Sequence, residues 1–112
     1  MTAPRDYQLY LQDILQAIES IELYTKGYTF DQFQRDRKTQ DAVVRNLEII
    51  GEAVKRLPDE LRATYQDIEW RPAAAMRDFL VHQYPDVEVE IVWDTIKNDL
   101  SPLKEGIKRC LK

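Results

Sequence analysis

A chain of 112 residues, 44% hydrophobic and 32% charged, has the composition of one globular domain over residues 1–112 and not that of a disordered polymer. The longest apolar run, residues 73–76, falls far short of the roughly 20 residues of a membrane span, and residues 1–10 lack the apolar stretch of a secretory leader, so no membrane contact and a cytoplasmic location are expected. One cysteine, Cys110, and one histidine, His82, exclude an internal disulfide and a Cys/His zinc cluster, so no metal or cofactor is expected, and a net charge of −4 has the wrong sign for coating nucleic acid by bulk electrostatics.

Both halves of the chain, divided at Arg56, are net acidic, so any nucleic-acid contact must be local to a cleft or shared with a second chain. Three glycines and five prolines are too few turn signals for a many-stranded sheet, and the apolar spacing reads as all helix. Tyr7, Leu11, Ile14, Leu15, Ile18 and Ile21 form the first helical stripe, which Gly27 stops. Thr29 and Gln32 have the spacing of a capping box, predicting a short helix that holds Phe30 and Phe33 against the core. A second long helix is expected over residues 37–57, striped by Val43, Val44, Leu47, Ile50, Val54 and Leu57 and ended by Pro58. Gly51 inside it costs up to about 1 kcal/mol against alanine, which points to the close approach of another helix.

Pro58 and Pro72 suit first helical turns, predicting a short helix over residues 58–65 and another from Pro72 to about Gln83, with Ala73, Met76, Phe79 and Leu80 as its apolar stripe. Pro85 pushes Tyr84 out of helical geometry, and Asp86 is the expected N-cap of a final helix striped by Val89, Val92, Trp93, Ile96, Leu100, Leu103 and Ile107. Pro102 predicts a kink there, or a restart capped by Ser101. The expected architecture is an antiparallel bundle of three to four main helices plus short connecting ones. Trp70 and Trp93 are read as core aromatics, and Cys110 as an inert thiol near a frayed end.

The search for a general acid or base starts at His82, the one imidazole. Arg77, Asp78 and Tyr84 lie within eight positions of it, and an arginine suits a phosphate or phosphorane while a histidine suits proton transfer. At about 100° per residue Arg77 and Tyr84 share a helix face, whereas His82 stands about 140° from Arg77 unless the turn before Pro85 is irregular, as expected here. Plainer roles exist for each group: His82 at a helix C-terminus, Arg77 paired with Asp78, Asp86 or a facing carboxylate, Tyr84 as a packed aromatic. Asp41, Arg45, Glu48 and Glu52 fall on one side of the second long helix, either as a solvated row or lining a cleft and orienting Arg77. Arg35, Arg37 and Lys38 form the densest basic cluster, a surface loop or an RNA backbone contact.

Arg77-x-x-x-x-His82-x-Tyr84 resembles the Arg-x(4–6)-His signature of HEPN domains, in the HepT-like branch that extends it to a tyrosine. Residues 10–14, 36–43, 45–53 and 91–93 are similar to family segments in the same order, so the resemblance covers nearly the whole chain. Asp78 fits the polar position after the arginine; Pro85, where an aromatic is expected, and the Ala73-Ala74-Ala75 lead-in depart from the pattern. The resemblance implies a metal-independent ribonuclease toxin of a type VII toxin–antitoxin system, acting on an RNA such as a tRNA or an mRNA. It implies Arg77 and His82 as catalytic residues with Asp78 in support, and a minimal nucleotidyltransferase antitoxin that transfers AMP to Tyr84. Cleavage through the RNA 2′-hydroxyl needs a base, an acid and a cation, and one histidine per chain then implies a homodimer, or an assembly of dimers, with two motifs facing one cleft. The alternative is a non-catalytic helical module that docks a nucleotidyltransferase and presents Tyr84.

Overall fold

A stripe that must leave water needs another to cover it, and the long stripes meet in a computed structural model that describes residues 6–84 and 88–111. Among the described residues there are seven helices and no strand: α1 (Asp6–Thr25), α2 (Phe30–Gln34), α3 (Arg37–Arg56), α4 (Asp59–Thr64), α5 (Trp70–Gln83), α6 (Val89–Asn98) and α7 (Leu100–Cys110). Helix α3 packs against both α1 and α5, α7 lies on α1, and α6 bridges α2 and α7. Glu52 pairs with Arg77 while Asp41 pairs with Tyr84, so α3 and α5 run antiparallel. The all-α bundle expected from periodicity is the observed architecture.

Leu11, Ile14, Ile18 and Ile21 of α1 are wholly out of solvent, as are Val43 and Val54 of α3, Leu80 of α5 and Ile107 of α7. Each such side chain contributes about 1.5–3 kcal/mol by leaving water, and most of them lie where α1 and α5 pack against α3. The capping box forms at α2: the Gln32 amide donates to Thr29 Oγ1 at 3.2 Å, and the Thr29 amide donates to Gln32 Oε1 at 2.9 Å. At Gly51 an added Cβ would lie 2.1 Å from Arg77 Cβ and 2.9 Å from the Ala73 carbonyl oxygen, so α5 does approach α3 there. Trp70 is buried with its indole N–H donating to the Tyr65 carbonyl at 3.0 Å, and Trp93 lies against Phe33 with ring centroids 5.1 Å apart.

Several local expectations are corrected. Pro58 is the N-cap of α4 and not a helical residue, and Pro72 is the third residue of α5, still in the first turn, where its missing N–H costs nothing. The final helix is two helices, parted at Asp99 and not at Ser101. The Pro102 ring excludes the carbonyl four residues before it, that of Asn98, which is where α6 ends. The N-cap of α6 is Glu88; Asp86 and Pro85 lie outside the described residues. Phe79, expected in the core stripe, faces out at 37% exposure, because Met76 and Leu80 already fill the seam. Cys110 is buried in the core, where burial pushes its thiol above the ordinary value.

Candidate active site

Arg77 emerges from the middle of α5 where Gly51 lets the two helices touch. Its guanidinium is held on two sides, by Glu52 at 3.0 Å from α3 and by its neighbour Asp78 at 3.1 Å. Asp78 in turn accepts from Lys55 Nζ at 2.5 Å, and Lys55 first and then Arg77 hold its carboxyl below the ordinary carboxylate range. An arginine braced in this way is fixed in direction before any ligand arrives, which a free surface arginine is not. The plainer pairing with Asp78 and a facing carboxylate is therefore realised, and it orients the group.

Above this pair opens a cleft of about 370 Å³, lined by α1, α3 and α5. Arg45, Glu48 and Glu52 of the α3 row line it, together with Tyr10, Asp13, Arg56, Arg77 and Val81. Three arginines thus face three carboxylates, so the cleft of one chain is charge-balanced and not basic. Arg56 is held further toward its charged form by the Tyr10 hydroxyl and by Glu52. Asp41 does not line this cleft.

Asp41 instead accepts a hydrogen bond from the Tyr84 hydroxyl, across 43 residues of sequence. Tyr84 follows the last residue of α5 in the extended geometry expected for it, at φ −69° and ψ 138°, and its backbone N–H still closes the helix on the Leu80 carbonyl at 2.9 Å. Arg37, from the basic cluster, lies 5.7 Å from the centre of the Tyr84 ring and pairs with Asp41 at 3.1 Å. Arg77 and Tyr84 share the α3-facing side of α5, about 10 Å apart along its axis. His82 does not join them. The helix stays regular to Gln83, against the expected irregular turn, and His82 is exposed away from the cleft that holds Arg77.

Arg37 and Lys55 extend the α3 row at both ends, so that 37, 41, 45, 48, 52 and 55 recur at three- and four-residue steps. That spacing was available in the sequence; Lys55 as the partner of Asp78 was not. A larger cavity of about 450 Å³, lined by Ile68, Met76, Leu100 and others, contains none of the motif residues. Among the described residues no three His, Cys, Asp or Glu side chains are grouped so as to hold a metal ion, and no helix is long and apolar enough to cross a membrane.

Residues 14–110 match the family model described as "Ribonuclease HepT-like". The chain belongs to the HepT-like family. It is 44% identical over 108 residues to the "Probable ribonuclease HepT" of Thermococcus cleftensis, covering 96% of this chain and 98% of that protein. It is 41% identical over 112 residues to the "Putative RNase TTE0752" of Caldanaerobacter subterraneus subsp. tengcongensis, covering 100% of this chain and 97% of that one. A third relative, of Methanocaldococcus jannaschii and named "Gamma-glutamylcyclotransferase and putative RNase MJ0434", is 44% identical over 108 residues. The match covers 96% of this chain, yet it spans only about half, 49%, of that longer protein. No solved structure matches the chain. In this HepT-like chain Arg77 and His82 stand on one helix, with Tyr84 as its C-cap.

Proposed function

We propose that this HepT-like protein is the ribonuclease toxin of a toxin–antitoxin pair, cleaving RNA as a homodimer through attack of the RNA's own 2′-hydroxyl and without a metal ion. The observation that carries this reading is the division of labour along α5: Arg77 is braced in the cleft by Glu52 and Asp78, while His82 stands exposed on another face. A braced guanidinium suits the developing charge on a phosphorane, and an exposed imidazole suits proton transfer to or from a group outside its own cleft. Phe79, exposed at 37% and three residues before His82 on α5, gives a second copy an apolar side chain to bury beside the imidazole. In a two-fold pair, one His82 removes the 2′-proton, the other protonates the departing 5′-oxygen, and Arg77 neutralises the phosphate between them.

Silencing by a minimal nucleotidyltransferase follows the same geometry. Tyr84 shares the seam with Arg77, so an AMP on its hydroxyl places a fixed negative charge and a purine along the route of an RNA strand, excluding it by repulsion and bulk. The test is purified protein on total cellular RNA, with and without chelator, beside His82→Ala and Arg77→Ala. Cleavage that survives the chelator, leaves 2′,3′-cyclic or 3′-phosphate ends and is lost in both variants at unchanged circular dichroism is the expected result. A wild type that cleaves no RNA assigns the chain to the docking-module role instead, and cleavage that persists in both variants moves the reacting groups to other residues.

A further inference from the structure

Among the described residues two phenol–carboxylate pairs differ in what else the carboxylate does. Tyr28 Oη donates to Asp36 at 2.5 Å, but Asp36 is already occupied as the N-cap of α3, accepting from the Thr39 amide at 3.0 Å and the Thr39 hydroxyl at 2.6 Å. Those bonds draw its carboxyl down to about 2, which makes it a poor proton acceptor. Asp41, by contrast, sits in the first turns of α3 with its side chain 53% exposed, and among the described residues it meets the Tyr84 hydroxyl and the Arg37 guanidinium. Arg37, itself 65% exposed, touches both the carboxylate and the face of the phenol ring. Tyr28 with Asp36 is a structural clamp; Tyr84 with Asp41 is an open pair at the surface.

We infer that Asp41 is the general base for nucleotidyl transfer to Tyr84, and that Arg37 is the cation that holds Asp41 in line and receives the transferred phosphate. This rests on the proposal that Tyr84 is the acceptor. In the step, Tyr84 Oη attacks the α-phosphorus of a nucleoside triphosphate; an O–P bond forms, the bond from that phosphorus to pyrophosphate breaks, and pyrophosphate leaves. The phenolic proton passes to the Asp41 carboxylate as the O–P bond forms, the stage at which the oxygen loses electron density and becomes more acidic than a carboxylic acid. A phosphodiester anion then stands where the hydroxyl stood. It no longer donates to Asp41, and Arg37, already beside the ring, becomes its counter-ion. The acceptor chain thus brings its own base and its own phosphate ligand, and the transferase need supply only the nucleotide and its activation.

Intact-mass kinetics test this, with ATP and a minimal nucleotidyltransferase of the antitoxin type acting on wild type, Asp41→Asn, Asp41→Glu, Arg37→Gln and Tyr84→Phe. The expected result is a gain of AMP mass on wild type and none on Tyr84→Phe. Asp41→Asn should lower kcat by about a hundredfold with KM for the chain unchanged, and lose the acidic limb of the pH–rate profile. Asp41→Glu should restore most of the rate and that limb, and Arg37→Gln should slow transfer with the limb retained. Wild-type modification at Tyr84 with Asp41→Asn equally fast overturns the role of Asp41 and leaves the acceptor standing. An unmodified wild type, or a gain that persists in Tyr84→Phe, overturns the acceptor and this inference together.

Discussion

Arg77 shows how a side chain's role depends on what already neutralises it. Glu52 and Asp78 hold the guanidinium at 3.0 and 3.1 Å, so an incoming RNA phosphate must displace one carboxylate contact or add to a balanced cleft. Glu52→Gln keeps an oxygen acceptor for Arg77 and removes one negative charge. RNA binding should therefore tighten several-fold at low salt, with the slope of log K against log salt steeper by about one unit, as read by fluorescence anisotropy. Unchanged affinity would place RNA away from this cleft. Glu52→Ala removes the acceptor as well, and a misdirected Arg77 should lower cleavage by about a hundredfold even where binding improves. His82 differs: an exposed residue can be truncated with stability kept within about 0.5 kcal/mol, so loss of cleavage in His82→Ala reports chemistry and not folding.

Among the elements, α3 does most to place the site, through a glycine and a cap. Gly51→Ala puts a methyl group 2.1 Å from Arg77 Cβ, so α5 must move away; overpacking of this kind costs about 1–3 kcal/mol, against which alanine's helix preference returns up to about 1 kcal/mol. The variant should melt lower and cleave more slowly, since the atom displaced belongs to Arg77; a higher melting temperature would mean that the seam yields without cost. The start of α3 depends on Asp36, whose carboxyl falls from the ordinary 3.8 to about 2 through Thr39 and Tyr28. A group depressed on folding stabilises fully above its unfolded value and loses that contribution as pH falls through its folded one. Stability should accordingly decline between pH 3.8 and about 2, and Asp36→Asn should flatten that part of the acid unfolding curve. A curve of unchanged shape would assign the acid limb to other carboxylates.

At the scale of the whole molecule, one chain keeps apart the two groups that the proposed cleavage needs together. Arg77 faces α3 and the cleft, while His82 is exposed and does not line that cleft. A pair of chains is the simplest assembly that returns both groups to one phosphate. Sedimentation should give a dimer, and mixing His82→Ala with Arg77→Ala chains, each inactive alone, should restore part of the cleavage if the reacting groups come from different copies. A fully active monomer at matched concentration would end this reading.

Periodicity, caps and proline positions determined by themselves that the chain is an all-α bundle, where α1, α2, α3 and α5 lie, that Gly51 meets another helix, and that Arg77 and Tyr84 share a face. These are legible because a 3.6-residue repeat, a capping side chain and a missing N–H act within one or two turns. The pairings were decided by the tertiary structure: Tyr84 with Asp41, Lys55 with Asp78, Arg77 with Glu52 in preference to other acidic neighbours. A stripe states which face of a helix is apolar and not which helix covers it or in what register, so Phe79 could look like core and still face out. The burial of Cys110 depends likewise on how α7 closes over α1, where long-range packing outweighs the local signal of a chain end, whereas the break at Asp99 is the local effect of the Pro102 ring.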